Sequence, residues 1–248
     1  MKRFLLLPIL LSLNWAIAQD NSALTVTLPA VPAGANSATF AVPRIEWVQR
    51  VKMTKDKVKP AAASIELIFD GDSITDFFQT KGRDVWTERY GKLNAFDFGI
   101  SADKTQNVLW RLSQGQVDGL HPKLIALMIG TNNIPTNKTE EIADGVKAVV
   151  LEYQKRCPDA VILLQAIFPR GQLATEPMRA KIKAVNEIIA KLHDDKKVIF
   201  IDFGEKFLDP DGSISPEVMP DFLHPSAKGY AIWADAIQPI IAKYFPTK

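Results

Sequence analysis

Serine, aspartate and histidine, the side chains that nucleophilic acyl transfer uses, occur in this sequence as Ser73, Asp221 and His224. A serine hydroxyl becomes an effective nucleophile when a histidine accepts its proton and a carboxylate holds that histidine in one tautomer. Asp221 and His224 are three residues apart, so a single turn of chain can join them. The order of the three residues therefore fits an acyl-transfer site. A serine after Gly71-Asp72 could equally be a helix cap.

Elimination among the histidines favours His224 as the candidate general base. The sequence has three histidines. His121 precedes an apolar segment, and so stands at the end of a predicted strand that is opposite to the expected site. His193 lies late in a predicted helix, where a cation suits the helix dipole. His224 alone lies in a loop that can reach the carboxyl ends of the strands.

Two further polar positions follow other predicted strands. The backbone N–H of Gly99 could point at an anion, and the side-chain N–H of Asn132 could point at a developing oxyanion. Each residue also has an ordinary interpretation, Gly99 as a turn glycine and Asn132 as a turn former. The G-x-S-x-G pattern of α/β-hydrolases is absent, because Thr75 occupies the position of its second glycine.

The elements that would position these residues alternate along the chain. Apolar segments predict strands at residues 65–69, 95–98, 124–129, 160–168 and 198–203. Apolar residues at helical spacing predict helices around residues 142–153, 182–192 and 230–244, and Pro239 is expected to kink or split the last. This alternation predicts one open, mostly parallel sheet with helices on both faces. In such sheets the reactive groups collect at the carboxyl ends of the strands.

The N-terminal residues predict export. Residues 1–18 combine a basic start, an apolar stretch and Ala16-Ile17-Ala18, which is the pattern of a cleaved signal peptide. An uncleaved membrane anchor is the alternative. Residues 19–43 are rich in Ala, Pro, Ser and Thr, and form either a loose arm or a segment packed on the domain of residues 44–248. We expect a periplasmic or secreted protein with no integral membrane span after cleavage.

Charge and cysteine content exclude several classes of partner and cofactor. The formal net charge is +2, and the charges of residues 19–248 cancel, so nucleic acid is not the expected partner. Cys157 is the only cysteine and cannot form an intramolecular disulfide. The acidic residues within 209–217 do not match the spacing of a calcium-binding loop, which favours a surface turn there.

Four sequence blocks resemble the SGNH (GDSL-type) hydrolase family. They are FDGDSIT at 69–75, FGI at 98–100, GTNN at 130–133 and DFLH at 221–224, in the order of the family. The stretch TQNVLWRL at 105–112 is similar to the branch that contains the catalytic subunits of platelet-activating-factor acetylhydrolase. The resemblance covers about residues 44–245. Asp70 and Pro225 depart from residues common in the family, and neither is expected to touch a reacting atom.

The resemblance implies a three-layer α/β/α fold with a five-stranded, parallel, flavodoxin-like sheet of order 2-1-3-4-5. It implies Ser73 as the nucleophile, His224 as the base and Asp221 as the orienting carboxylate. The oxyanion hole would consist of the backbone N–H groups of Ser73 and Gly99 and the side chain of Asn132. No metal or cofactor is implied. The resemblance allows a homodimer, which no residue pattern decides.

The expected activity is that of an exported serine esterase for short-chain, acetyl esters. Its substrate would be a small ester or an acetylated glycan, with O-acetyl groups of carbohydrates preferred. The alternative is a lysophospholipase or a lipid esterase that resembles platelet-activating-factor acetylhydrolase. A further interpretation is a non-catalytic glycan-binding module, which loss of Ser73 or His224 would favour. Both residues are present.

Overall fold

The computed structural model describes residues 29–246, in which a parallel sheet lies between two layers of helices. The five strands are β1 (Leu67–Gly71), β2 (Ala95–Asp97), β3 (Leu124–Met128), β4 (Val161–Gln165) and β5 (Val198–Ile201). Their order is β2-β1-β3-β4-β5, and every neighbouring pair is parallel. The predicted fold class and strand order are confirmed. The predicted signal peptide lies outside the described residues.

Strand β1 extends further than the apolar run that predicted it. It begins at Leu67 and includes Asp70 and Gly71, which pair with Leu127 and Met128 of β3. A charged residue normally ends a buried strand, because an isolated buried carboxylate is costly. Asp70 stays within the strand since its carboxylate accepts hydrogen bonds from buried side chains, which are described with the site below.

In the part of the chain that the structure describes, seven α-helices flank the sheet. They are α1 (Val48–Val58), α2 (Ser73–Asp76), α3 (Arg83–Tyr90), α4 (Thr105–Ser113), α5 (Thr139–Arg156), α6 (Pro177–Ile189) and α7 (Ala227–Tyr244). Pro239 does not split α7, contrary to one of the expected outcomes. Pro239 removes the helical N–H donor to the carbonyl of Asp235, and both residues are exposed, so this missing hydrogen bond lies on the solvent side of α7. Within residues 29–246, no helix combines the length and apolar character that crossing a bilayer requires.

Alternation along the strands divides the core between the two faces of the sheet. Ile68 packs with the helices α4, α5 and α6, whereas Leu67 and Phe69 pack with α3 and α7. Trp233 of α7 is fully buried in the second layer, and its ring centroid lies 4.8 Å from that of Phe78. The continuous apolar runs of β3 and β4 follow from this covering of both faces.

The described end of the Ala/Pro/Ser-rich segment packs on the domain. Ala38 is fully buried, and its carbonyl accepts a hydrogen bond of 2.7 Å from the hydroxyl of Thr105 at the start of α4. The carbonyl of Val42 accepts from the side chain of Asn107 at 3.0 Å. Residues 36–43 are therefore a segment packed on the domain rather than a loose arm.

Candidate active site

Ser73 lies in a tight turn where β1 passes directly into the short helix α2. Asp72, not Ser73, is the N-cap of this helix, because Asp72 Oδ1 accepts a hydrogen bond of 3.0 Å from the N–H of Ile74. A Cβ on Gly71 would lie 2.2 Å from the carbonyl oxygen of Met128 and 2.4 Å from Thr75 Oγ1, so only glycine fits there. The capping interpretation of Ser73 was wrong, and its hydroxyl is free for another partner.

Ser73, His224 and Asp221 form one chain of hydrogen bonds. His224 Nδ1 lies 2.7 Å from Asp221 Oδ2, and His224 Nε2 lies 2.9 Å from Ser73 Oγ. Because the carboxylate accepts the Nδ1–H, Nε2 is left to accept the hydrogen of the serine hydroxyl. Exposure rises along this chain, from Ser73 at 7% to the side chains of His224 at 18% and Asp221 at 51%, so Asp221 is its surface end and the His224 ring is partly open to solvent.

Hydrogen bonds from backbone N–H groups to the Asp221 side chain hold the loop that carries Asp221 and His224. Asp221 Oδ1 accepts the backbone N–H groups of His224 at 2.7 Å and of Leu223 at 3.2 Å. Phe222, between them, adopts a left-handed conformation with a φ of 58°. This conformation is unfavourable for a residue with a bulky side chain, so the loop is conformationally constrained here. Partial burial acts to raise the pKa of Asp221, but the hydrogen bonds from His224 outweigh it and lower this pKa to about 2.

The three predicted oxyanion donors differ in how they are used. Ser73 begins α2, so its N–H has no acceptor within the helix. One N–H of the Asn132 side chain donates to the carbonyl of Asp103 at 2.9 Å, which leaves the second for another acceptor. The N–H of Gly99 donates to Asp97 Oδ1 at 2.8 Å. Gly99 therefore lies at the expected place in the fold with its amide already engaged.

Gly99 is required for close packing rather than for an unusual backbone angle. A Cβ at this position would lie 2.5 Å from the backbone nitrogen of Asp76 and 2.8 Å from Thr75 Cβ. The loop after β2 therefore rests directly on α2. This contact brings the Gly99 amide beside the turn that holds Ser73.

A set of buried charged residues behind the site was missed in the sequence. The carboxyl groups of four aspartates and the guanidinium of Arg111 are buried next to the ends of β1 and β2; the aspartates are Asp70, Asp72, Asp97 and Asp103. A signal for Arg111 was present, because it shares the apolar face of α4 with Val108 and Leu112. An arginine on such a face needs a buried acid, and Asp70 in β1 is one partner.

Burial raises the pKa of three of these carboxyl groups. The pKa of Asp72 rises to about 7 and that of Asp103 to about 6, in both cases because burial disfavours the charged form. Burial also raises the pKa of Asp97 well above its usual value. Asp72 Oδ2 has no hydrogen-bond partner among the described residues.

The stability of the protein is expected to depend on Asp72 in a particular pH range. Folding raises the pKa of this carboxyl from 3.8 to about 7, so the ionised group destabilises the folded state. That penalty is absent below about pH 4 and complete above about pH 7. We expect Asp72→Asn to raise the Tm at pH 8 but not at pH 4, by roughly 2–4 °C for each kcal/mol of penalty removed.

Thermal unfolding at both pH values measures this effect. Asp159→Asn, at an exposed position of the turn between α5 and β4, is the control and should leave the Tm unchanged at either pH. A difference between Asp72→Asn and the wild type that is the same at pH 4 and pH 8 would contradict the assignment.

Comparison with known proteins places this chain among ester hydrolases. The model of the GDSL-like lipase/acylhydrolase family matches residues 69–232. Human platelet-activating factor acetylhydrolase IB subunit alpha1 is 35% identical over 179 residues, which are 72% of this chain and 76% of that protein.

Solved structures share the fold. A GDSL-like lipase from Bacteroides thetaiotaomicron superposes with a TM-score of 0.62 at 19% identity, covering 80% of this chain and 96% of that one. A catalytic mutant of an acetylxylan esterase from Geobacillus stearothermophilus gives a TM-score of 0.54 at 20% identity, covering 75% and 96% of the two chains. The fold and the family match together define a carboxylic ester hydrolase. The chain belongs to the GDSL-like lipase/acylhydrolase family, as the four sequence blocks predicted.

Proposed function

We propose that the protein is an exported serine esterase that removes short acyl groups, acetyl above all, from carbohydrate esters. The observation that carries this proposal is the hydrogen-bonded chain from Ser73 Oγ through His224 to Asp221, with contacts of 2.9 and 2.7 Å. These are the distances that proton transfer from a serine nucleophile to a base requires.

Each residue of the chain has one task in the proposed mechanism. Ser73 Oγ attacks the ester carbonyl while His224 Nε2 takes the hydroxyl proton, and a tetrahedral oxyanion forms. The C–O bond to the alcohol then breaks, and His224 returns the proton to the leaving oxygen. Water, deprotonated by His224, attacks the acyl-enzyme and releases the acid with Ser73 restored. Asp221 stays ionised throughout and stabilises the imidazolium.

Two of the three proposed oxyanion donors are not used in the hydrogen bonds described above. They are the N–H of Ser73 and the second N–H of Asn132. The N–H of Gly99 contributes only where it is shared with, or released from, Asp97 Oδ1. Asn132 therefore carries a larger part of the stabilisation than it would beside two free backbone amides.

Removal of the Asn132 side chain should slow the chemical step. We expect Asn132→Ala to lower kcat by about 10²–10³, the effect of losing one oxyanion donor, with little change in KM. Steady-state kinetics on p-nitrophenyl acetate measure both constants. A kcat within threefold of the wild type would exclude Asn132 from the oxyanion hole.

The proposed preference for acetyl esters is supported by two similar proteins and can be tested directly. One similar protein is an acetylhydrolase and another is an acetylxylan esterase, and both are named for the removal of an acetyl group. We expect kcat/KM to fall from acetyl to butyryl to decanoyl esters of p-nitrophenol. A preference for the decanoyl ester would overturn the short-chain proposal.

A lipid ester is the second candidate substrate, because the acetylhydrolase relative reaches 35% identity. Acetylated xylo-oligosaccharides and a 2-acetyl ether phospholipid carry the same acyl group on different alcohols. Measured side by side, a higher kcat/KM for the sugar ester supports the carbohydrate proposal, and a higher value for the phospholipid overturns it.

Export is proposed from the signal-peptide pattern of residues 1–18. The N-terminal residue and the location of the expressed protein test it. Expression of the full chain in a bacterial host should give a product whose N-terminus is Gln19, recovered outside the cytoplasm. A cytoplasmic product that begins at residue 1 would overturn this part of the proposal.

A further inference from the structure

Arg111 is a buried cation that the ester-hydrolysis mechanism does not use. It lies on α4, and its side chain is only 2% exposed. Its guanidinium donates to two carboxylates, to the side chain of Gln116 at 2.5 Å and to the backbone carbonyl of Gly71 at 3.3 Å. A side chain that gives hydrogen bonds in several directions fixes the relative positions of the segments it contacts.

One side of the guanidinium holds the end of β1. Arg111 Nη2 donates to Asp70 Oδ1 at 2.9 Å, and the hydroxyl of Tyr153 donates to the other oxygen of the same carboxylate. Asp70 and Gly71 immediately precede Asp72 and Ser73. The two hydrogen bonds to Asp70 therefore fix the position of the strand end that leads into Ser73.

The other side of the guanidinium holds the loop between β2 and α4. Arg111 Nε donates to Asp103 Oδ2 at 2.7 Å. The backbone carbonyl of Asp103 accepts the side-chain N–H of Asn132 at 2.9 Å. A second link joins the same two segments, because the N–H of Thr105 donates to Asn133 Oδ1 at 3.0 Å. The orientation of Asn132 thus depends on where Arg111 places Asp103.

We propose that Arg111 is a positioning residue that holds the oxyanion donors at Ser73 and Asn132 in mutual register. The proposal rests on the esterase function proposed above. Stability alone does not require this arrangement, because well-packed apolar residues commonly replace a buried ion pair at no cost. The guanidinium instead bridges the two segments that carry donors, and displacement of such a group by about 1 Å can cost on the order of 10²-fold in rate.

A double-mutant cycle between Arg111 and Asn132 tests the proposal. Arg111→Lys keeps the charge but cannot span both carboxylates, so we expect kcat for p-nitrophenyl acetate to fall by about 10- to 100-fold. KM and the pH dependence of kcat should change little, because the Ser73–His224–Asp221 chain is not altered. In the Asn132→Ala background, the same Arg111→Lys change should cost less than about threefold, since its main target is gone.

Two outcomes would overturn the positioning role. One is a kcat for Arg111→Lys within twofold of the wild type. The other is a full multiplicative loss in the double mutant, which would mean that Arg111 acts independently of Asn132. Should Arg111→Lys fold poorly, Asp103→Asn offers the second route. It keeps the backbone carbonyl that Asn132 contacts but weakens the link to Arg111, so a reduced kcat at an unchanged KM is again expected.

Arg156→Lys is the matched control. Arg156 on α5 also joins two carboxylates, with contacts of 2.6 Å to Glu152 and 2.8 Å to Asp118, but it has no contact with the site. Its replacement should leave kcat unchanged. Ser73→Ala separates the two proposals: a fully active Ser73→Ala protein would remove the esterase mechanism, whereas an inactive one with a multiplicative cycle would remove only the role of Arg111.

Discussion

Ser73→Ala is expected to lower kcat for p-nitrophenyl acetate by on the order of 10⁴–10⁶ while the protein stays folded. The hydroxyl supplies the nucleophile, and the oxyanion donors alone retain only a small part of the catalysis. Ser73 is 7% exposed, and its hydroxyl contacts His224 on the surface side of the turn. Loss of a single oxygen there leaves no large cavity, so the Tm should change by no more than a few degrees.

An active-site-directed organophosphate provides a second readout. It should label Ser73 in the wild type and nothing in Ser73→Ala. Ser113→Ala is the control, because Ser113 is an exposed serine at the end of α4 whose hydroxyl donates to the carbonyl of Trp110. Absent labelling of the wild type would favour the glycan-binding interpretation. Most of the activity surviving in Ser73→Ala would instead end the serine-nucleophile mechanism.

His224→Ala should reduce kcat by about 10⁴ or more, because Ser73 then has no base for its proton. The imidazole is held between Asp221 on one side and the ring of Phe77 on another, whose centroid lies 5.0 Å away. The substitution opens a space beside Phe77, so added imidazole should restore part of the rate. Activity measured against imidazole concentration tests both expectations.

His193→Ala is a close control for this change. His193 also pairs with an aspartate, since its Nε2 lies 2.8 Å from Asp195 Oδ1, and it lies on the far loop before β5. It should keep wild-type kcat. A loss of activity in His193→Ala equal to that in His224→Ala would show that the assay reports stability rather than catalysis.

The periodicity of the chain was sufficient for most of the fold. Apolar runs predicted all five strands, and the order of the strands followed from the family resemblance. One error lies where a polar residue is buried in regular structure. The predicted first strand ended at residue 69, before Asp70. Asp70 lies within β1, where Arg111 and Tyr153 donate hydrogen bonds to its carboxylate. No local pattern identifies a partner 41 residues away.

The pairing of Asp221 with His224 could be read from the chain, since their separation of three residues in a turn limits how far apart the side chains can lie. The choice of His224 among the histidines followed from the same local reasoning. The contact of His224 with Ser73 spans 151 residues and exists only because β1 and the loop before α7 meet at one edge of the sheet. Packing likewise sets Gly99 against α2 and joins Arg111 to both donor segments. Covalent geometry constrains near neighbours directly, whereas distant groups meet only when burial of the whole core makes one arrangement lowest in free energy.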